Sequence, residues 1–211
     1  MEDLIMHPAT LAKINVVPHC LIRLASGNLA FITKRIDRVK KEKMEDMCQL
    51  TDRLTEDKYR GSYEQVAKAI LKHSNNPGLD VVNFFELVLF SFLTGNADMH
   101  LKNFSLIHQP AMGSIFSPAY DLVATTLVNP TNDEDLALTL NGKKKKINRN
   151  DFVAAFNTIA LDVKQQENIF KKMEKAKESW LQFINISFLN DEMMSNYKNL
   201  LQDRFTRLAE Q

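Results

Sequence analysis

The chain has 211 residues, 45% of them apolar, and its 27 Lys+Arg against 26 Asp+Glu leave a formal net charge of +1. That is enough chain and apolar material for a sizeable core, in one compact domain or two lobes, and it excludes an intrinsically disordered protein. The near-neutral balance also lacks the electrostatic footprint of a protein built chiefly to grip nucleic acid or an anionic membrane.

Residues 2–14 place Leu4, Ile5, Leu11 and Ile14 at helical spacing around Pro8, which cannot donate its interior hydrogen bond; this predicts a short or kinked helix. Two apolar runs, 19–24 and 29–34, flank Ser26-Gly27-Asn28 and predict a β-hairpin whose second strand leads into 35–38. From Val39 the pattern is mostly helical, over 45–50, 63–72 and 79–95, and the third of these is apolar almost all round. Such a helix belongs at the centre of a helical lobe. A polar loop, 96–103, then precedes two short apolar stretches, 104–108 and 115–120, which read as a small hairpin. A second hairpin is expected within 133–146, around Asn141-Gly142. Helices return over 151–159, 163–188 and 191–209, with Trp180, Phe183, Phe188 and Met193 expected to pack between them.

The apolar window 81–93 is interrupted by Asn83 and Glu86 and is shorter than the roughly 20 residues of a membrane helix, so no membrane association is expected. Glu2 and Asp3 stand where a signal peptide carries basic residues. Cys20 and Cys48 have no C-x-x-C spacing and read as core thiols in a reducing cytoplasm. The lysine run 143–146 reads as a solvated turn. The six glycines are dispersed, no two of them within ten residues, so neither common glycine-rich phosphate loop can be written in this chain.

One constellation can do chemistry. Asp98 and Asn103 lie five positions apart in the polar loop, after the apolar helix and before a short strand. A D-x-x-x-x-N loop suits phosphoryl transfer, because a carboxylate can orient and deprotonate the attacking hydroxyl while a nearby amide oxygen holds Mg²⁺. Asp121, returned by the hairpin after Asn103, fits as the second metal-holding group, and His100 and Lys102 add donors for phosphate oxygens. Taken singly, such residues are more often turn formers and helix caps than catalysts; the ordered series of elements is what singles these out.

Three segments together, Arg35-Ile36-Asp37-Arg38, Glu45-Asp46-Met47-Cys48-Gln49 and the loop from Asp98 through His100, Lys102, Asn103, Phe104 and Ser105, resemble serine/threonine protein kinase toxins of the HipA/HipT type. The resemblance extends over nearly the whole chain. It implies an α+β fold: a mainly helical kinase-like C-lobe, residues 39–211, with a small β-hairpin remnant of the N-lobe and the hinge in 1–38. It further implies ATP and Mg²⁺ as cofactors, with Asp98 as catalytic base and Asn103 and Asp121 on the metal. Lys34, Arg35, Ile36, His100, Leu101, Lys102 and Asn103 would contact ATP, Lys34 standing where an acidic residue is often found, while Asp37 and Arg38 brace the hinge. Glu2 matches the helix glutamate that pairs with the ATP-anchoring lysine. The implied function is a toxin that phosphorylates a protein hydroxyl, an aminoacyl-tRNA synthetase by resemblance. Its implied partner is a HipB-like helix-turn-helix antitoxin, through which DNA is reached indirectly. The phosphate-binding loop, the anchoring lysine and the regulatory serine loop of such kinases have no counterpart in this chain, which aligns with the C-terminal two-thirds of the kinase core. A different reading is therefore a catalytically incomplete module that binds an antitoxin or a separately encoded N-terminal half.

Overall fold

In the computed structural model, which describes residues 1–37, 43–129, 131 and 133–209, the chain opens with α1 (Glu2–Leu11). Pro8 lies inside α1 and its carbonyl accepts bonds from Ala12 N–H and from the buried Trp180 indole, each at 2.9 Å. The residue expected to interrupt the helix thus ties it to the far end of the chain. The predicted hairpin is present as β1 (His19–Arg23) and β2 (Leu29–Thr33), antiparallel with Leu21 opposite Phe31, and it forms a sheet of two strands. Gly27 supplies the left-handed turn residue, at φ 87°.

The helix expected over 45–50 is a strand followed by one helical turn, β3 (Lys43–Asp46) and α2 (Met47–Leu50). Asp46 is the reason for the switch. Its carboxylate accepts the Gln49 N–H at 3.0 Å and its own N–H bonds the Gln49 side chain at 2.9 Å, a capping box that starts the helix there. Upstream of that cap, β3 pairs antiparallel with β4 (Ser105–Gln109), which pairs in turn with β5 (Gly113–Phe116). The small hairpin after the polar loop is therefore real and gains a third strand from distant sequence. Arg38 lies outside the described residues.

The helical body contains α3 (Tyr63–His73), α4 (Pro77–Thr94), α5 (Thr125–Val128), α6 (Arg149–Thr158), α7 (Val163–Asn185) and α8 (Asp191–Ala209). Polar residues start three of these helices: the side chains of Ser62, Asn148 and Asp162 accept first-turn N–H groups of α3, α6 and α7. The phenylalanines of α4 are fully buried, with Phe84 against Phe104 at 5.1 Å between ring centroids, Phe85 against Phe156 at 5.1 Å and Phe92 against Phe152 at 5.6 Å. By length and composition alone α4 could cross a membrane; 67% of it is buried inside this fold, as expected of a central core helix.

The hairpin expected within 133–146 shrinks to one bridge, Leu140 to Lys143, around an Asn141-Gly142 turn in which both residues have positive φ. The flanking residues Leu136, Ala137 and Leu138 are buried, and Asp135 bonds elsewhere: its carboxylate accepts Ile147 N–H at 2.8 Å and pairs with Arg204 and Arg207 of α8. Lys143, Lys144 and Lys145 pair with Asp151, Glu134 and Asp133, so three of the four lysines of the run meet acids within the chain. Two packing expectations are corrected. Phe188 is 73% exposed, because α7 ends at Asn185 and leaves it on the α7–α8 connection, and Cys20 is exposed on its two-stranded sheet while Cys48 is buried.

Candidate active site

The polar loop starts where α4 stops. Gly95 takes a left-handed conformation, φ 70°, and a Cβ there would meet Leu200 of α8 at 2.5 Å, so only glycine fits without a shift. The next residues are tied to α5, with Thr126 N–H bonding Gly95 O at 3.0 Å and Ala97 N–H bonding the Thr125 hydroxyl at 2.9 Å. Asp98 follows with its side chain exposed, on a backbone held by bonds from its own N–H to Asn96 Oδ1 at 3.3 Å and from His100 N–H to its carbonyl at 2.9 Å.

After Asp98 the chain turns inward. Leu101 is in the hydrophobic core and His100 is buried, so of the expected ATP contacts Leu101 offers only backbone. Burial, and then the charge of Lys58, push the His100 pKa down, which favours a neutral imidazole; it can still donate one hydrogen bond but does not act as a fixed cation. Asn103 is buried at the end of a 3₁₀ turn, its Oδ1 accepting His100 N–H at 3.1 Å and its Nδ2 donating to Asp121 Oδ2 at 2.6 Å. The strand return thus brings Asp121 beside Asn103, 18 residues later in the chain.

Asp121 has a left-handed backbone, φ 56°, a conformation of few non-glycine residues and one that clusters at functional sites. The turn before it is braced by Val17 N–H to Ala119 O at 3.0 Å and Ala119 N–H to Asn15 O at 2.8 Å. Glu2 lies within electrostatic reach: burial, and then the charge of Asp121, raise its pKa. The donor chemistry fits a divalent metal. Asp121 is exposed and hard, Asn103 adds an amide, and among the described residues no group of three or more His, Cys, Asp or Glu converges. Few protein donors are what Mg²⁺ needs when phosphates and water complete its shell. A cation on Asp121 would displace the Asn103 N–H and call for the amide to present its oxygen.

A cleft of about 500 Å³ is lined by Lys34, Arg35, Ile36, Lys102, Ser105 and Tyr120 among others, and not by Asp98, His100, Leu101, Asn103 or Asp121. Residues 34–36 and the loop lysine, far apart in sequence, therefore line one cavity. Lys102 is not free there: its ammonium contacts Asp46 at 2.6 Å, and that bond raises its pKa. Arg35 bonds Asp37 at 3.0 Å. A larger cavity of about 830 Å³, between α1, the β1–β2 hairpin and the end of α7, holds none of the candidate catalytic residues.

One site residue has no signal in the sequence. Tyr59 donates its hydroxyl to Asp98 Oδ1 at 2.7 Å from 39 positions away, with its ring edge-on to His100 at 4.9 Å. Burial, and then the bond to Asp98, push the Tyr59 phenol up to about 12, so it is a proton donor at neutral pH.

Sequence and structure comparisons agree on the relationship. A protein of Haemophilus influenzae carrying a provisional kinase name is 35% identical over 107 residues, which are 46% of this chain and 31% of that protein. A second such relative, Y4dM of Sinorhizobium fredii, is 34% identical over 121 residues, 56% of this chain and 29% of its own. The matched segment is therefore about a third of the length of these relatives. Among solved structures, a chain of the Shewanella oneidensis MR-1 toxin–antitoxin complex of HipA, HipB and operator DNA superposes with a TM-score of 0.83 at 20% identity. That match covers 99% of this chain and 55% of the other. The Helicobacter pylori proinflammatory kinase CtkA superposes with a TM-score of 0.69 at 16% identity, covering 98% of this chain and 82% of its own. The α+β fold is thus that of HipA and of a kinase. The family profile described as HipA-like C-terminal domain matches residues 1–180, a span that contains the loop, the strand return and Asp121, and the chain belongs to that family.

Proposed function

We propose that this chain is the catalytic core of a HipA/HipT-like serine/threonine protein kinase, the toxin component of a toxin–antitoxin system. The observation that carries the reading is the meeting of Asn103 and Asp121 at 2.6 Å on the loop that exposes Asp98. Asp98 aligns the acceptor hydroxyl and takes its proton on the carboxylate. Asn103 and Asp121 would hold Mg²⁺, which when bound neutralises charge on the transferred phosphoryl group. His100 and Lys102 supply hydrogen-bond donors at its edge, and Lys34, Arg35 and Ile36 form the wall against which the adenine of ATP would rest. In this arrangement residues 1–38 act as the partial small lobe and hinge, and 39–211 as the large lobe. The substrate is a protein hydroxyl, an aminoacyl-tRNA synthetase by family resemblance, and the partner is a HipB-like helix-turn-helix antitoxin in the cytoplasm, which alone touches DNA.

The test is transfer of radiolabel from the γ-phosphate of ATP to proteins of a cell extract, with Asp98→Ala alongside. Loss of labelling of about a thousandfold or more is expected of a variant without its base; equal labelling would remove Asp98 from the role.

The glycine positions favour a second reading, a kinase-like module without turnover that binds an antitoxin or a separately encoded N-terminal half. Calorimetry with ATP and Mg²⁺ separates the two. Heat from this chain that is lost in Asp121→Ala supports the kinase. Absence of heat that is restored by a fragment bearing a glycine-rich loop and a lysine strand supports a split enzyme, and absence under both conditions supports the module.

A further inference from the structure

We propose that Tyr59 is the positioning residue of Asp98: its hydroxyl fixes one carboxylate oxygen so that the other is presented to the acceptor hydroxyl. This rests on the kinase reading, in which Asp98 is the base.

The geometry is specific. Tyr59 Oη bonds Asp98 Oδ1 at 2.7 Å, and among the described residues Asp98 Oδ2 takes no hydrogen bond. An exposed carboxylate is free to rotate about its terminal torsion, which is broad and roughly two-fold; a donor on one oxygen selects one orientation. The tyrosine is itself pinned on both sides. Leu101 N–H bonds Lys58 O at 3.1 Å immediately before it, and the Tyr63 hydroxyl bonds Met99 O at 3.0 Å shortly after it. These two anchors fall on either side of His100, whose ring meets the Tyr59 ring edge-on, and the Lys58 ammonium lies 5.0 Å from the Tyr59 ring centroid. The segment 58–63 and the loop 98–101 are therefore laced into one unit. A gate that swings away, or an acceptor that must leave after reaction, would not be tied down on both sides of the loop. A fixed brace would.

The test is a double-mutant cycle read as label transfer from ATP. Tyr59→Phe keeps the ring, and because Tyr59 is 43% exposed the melting temperature should not move. Its kcat should fall about ten- to a hundredfold with KM for ATP unchanged, since misplacement of the base affects the acceptor and not the nucleotide. In an Asp98→Ala background the same change should cost nothing further. Losses that multiply across the two variants, a rise in KM for ATP, or a phosphotyrosine at position 59 after incubation with ATP and Mg²⁺ would each overturn the proposal. If Asp98→Ala alone labels as the wild type does, or the wild type does not label at all, the kinase reading fails first and the proposal with it. One readout needs no turnover. The Tyr59 tyrosinate absorbance, taken as each protein minus its Tyr59→Phe counterpart, should appear at lower pH in the Asp98→Asn background than in the wild type, because the bond and charge of Asp98 add to the effect of burial; identical titrations in the two backgrounds would show that the contact is not formed.

Discussion

The helical body and the β1–β2 hairpin have similar apolar content and opposite fates for it. In the body, α4 buries its phenylalanines against α6, Phe104 and the strand β5, and α3, α7 and α8 pack on it. In the hairpin, Ile22, Leu24, Leu29 and Ile32 are all exposed, and among the described residues the two strands pair only with each other. A two-stranded ribbon is marginal by itself. The site straddles this difference, because Asp98, Asn103 and Asp121 stand on the body while Lys34, Arg35 and Ile36 continue the hairpin. In the proposed kinase, chemistry would therefore fall to the buried body and one wall of the cleft to the exposed ribbon. Amide exchange should separate them, slow in α4 and fast in β1 and β2.

Substitutions can break or sharpen that contrast. Phe84→Ala should cost about 3–5 kcal/mol by leaving a cavity among Phe85, Phe104 and Phe116, measured by denaturant unfolding. Asp135→Asn should cost about 3 kcal/mol, because it leaves Arg204 and Arg207 without their shared anion. The same carboxylate sets an acid limit. Burial raises the Asp135 pKa, but the bond from Arg207 and the charge of Arg204 outweigh it and hold the group below its ordinary value. A depressed folded-state pKa contributes stability that is complete above the unfolded value, near pH 4, and that is lost as pH falls through the folded one. Melting temperature should therefore drop below about pH 4 in the wild type, and less so in Asp135→Asn. At the seam, Asp46→Asn keeps the helix cap but discharges the partner of Lys102, which is 37% exposed; a cost of at most about 1 kcal/mol is expected from urea titration. On the hairpin, Ile22→Ala should change global stability by about 0.5 kcal/mol or less. A loss as large as that of Phe84→Ala would show that the hairpin is part of the body after all.

What was legible in the sequence follows the range of each interaction. The helix α4 is announced by continuous apolar residues, and the β1–β2 turn by Gly27 beside Asn28, both local signals. Asp98, Asn103 and Asp121 are recognisable as a pattern, and the expected hairpin return does carry the Asp121 carboxylate back to Asn103. The strand β3 reads as helix because its pairing partner lies some 60 positions away, and residues 45–50 contain a true helix start at Asp46. Tyr59 is illegible for the same reason: an exposed tyrosine in a polar segment has no pattern of its own, and its meaning comes from a carboxylate reached only through the fold. Phe188 misleads in the other direction, since helical spacing continues past Asn185 while the helix does not.

The close approach of Leu200 to Gly95 has a practical consequence for anyone trimming this protein. The family profile ends at residue 180, but α8 begins at Asp191, sits under the start of the polar loop and provides both arginines that neutralise Asp135. A fragment cut at the edge of detectable kinship would expose the underside of α4 and strand a buried anion. In this chain the span matched to the family is shorter than the piece that holds the loop in place.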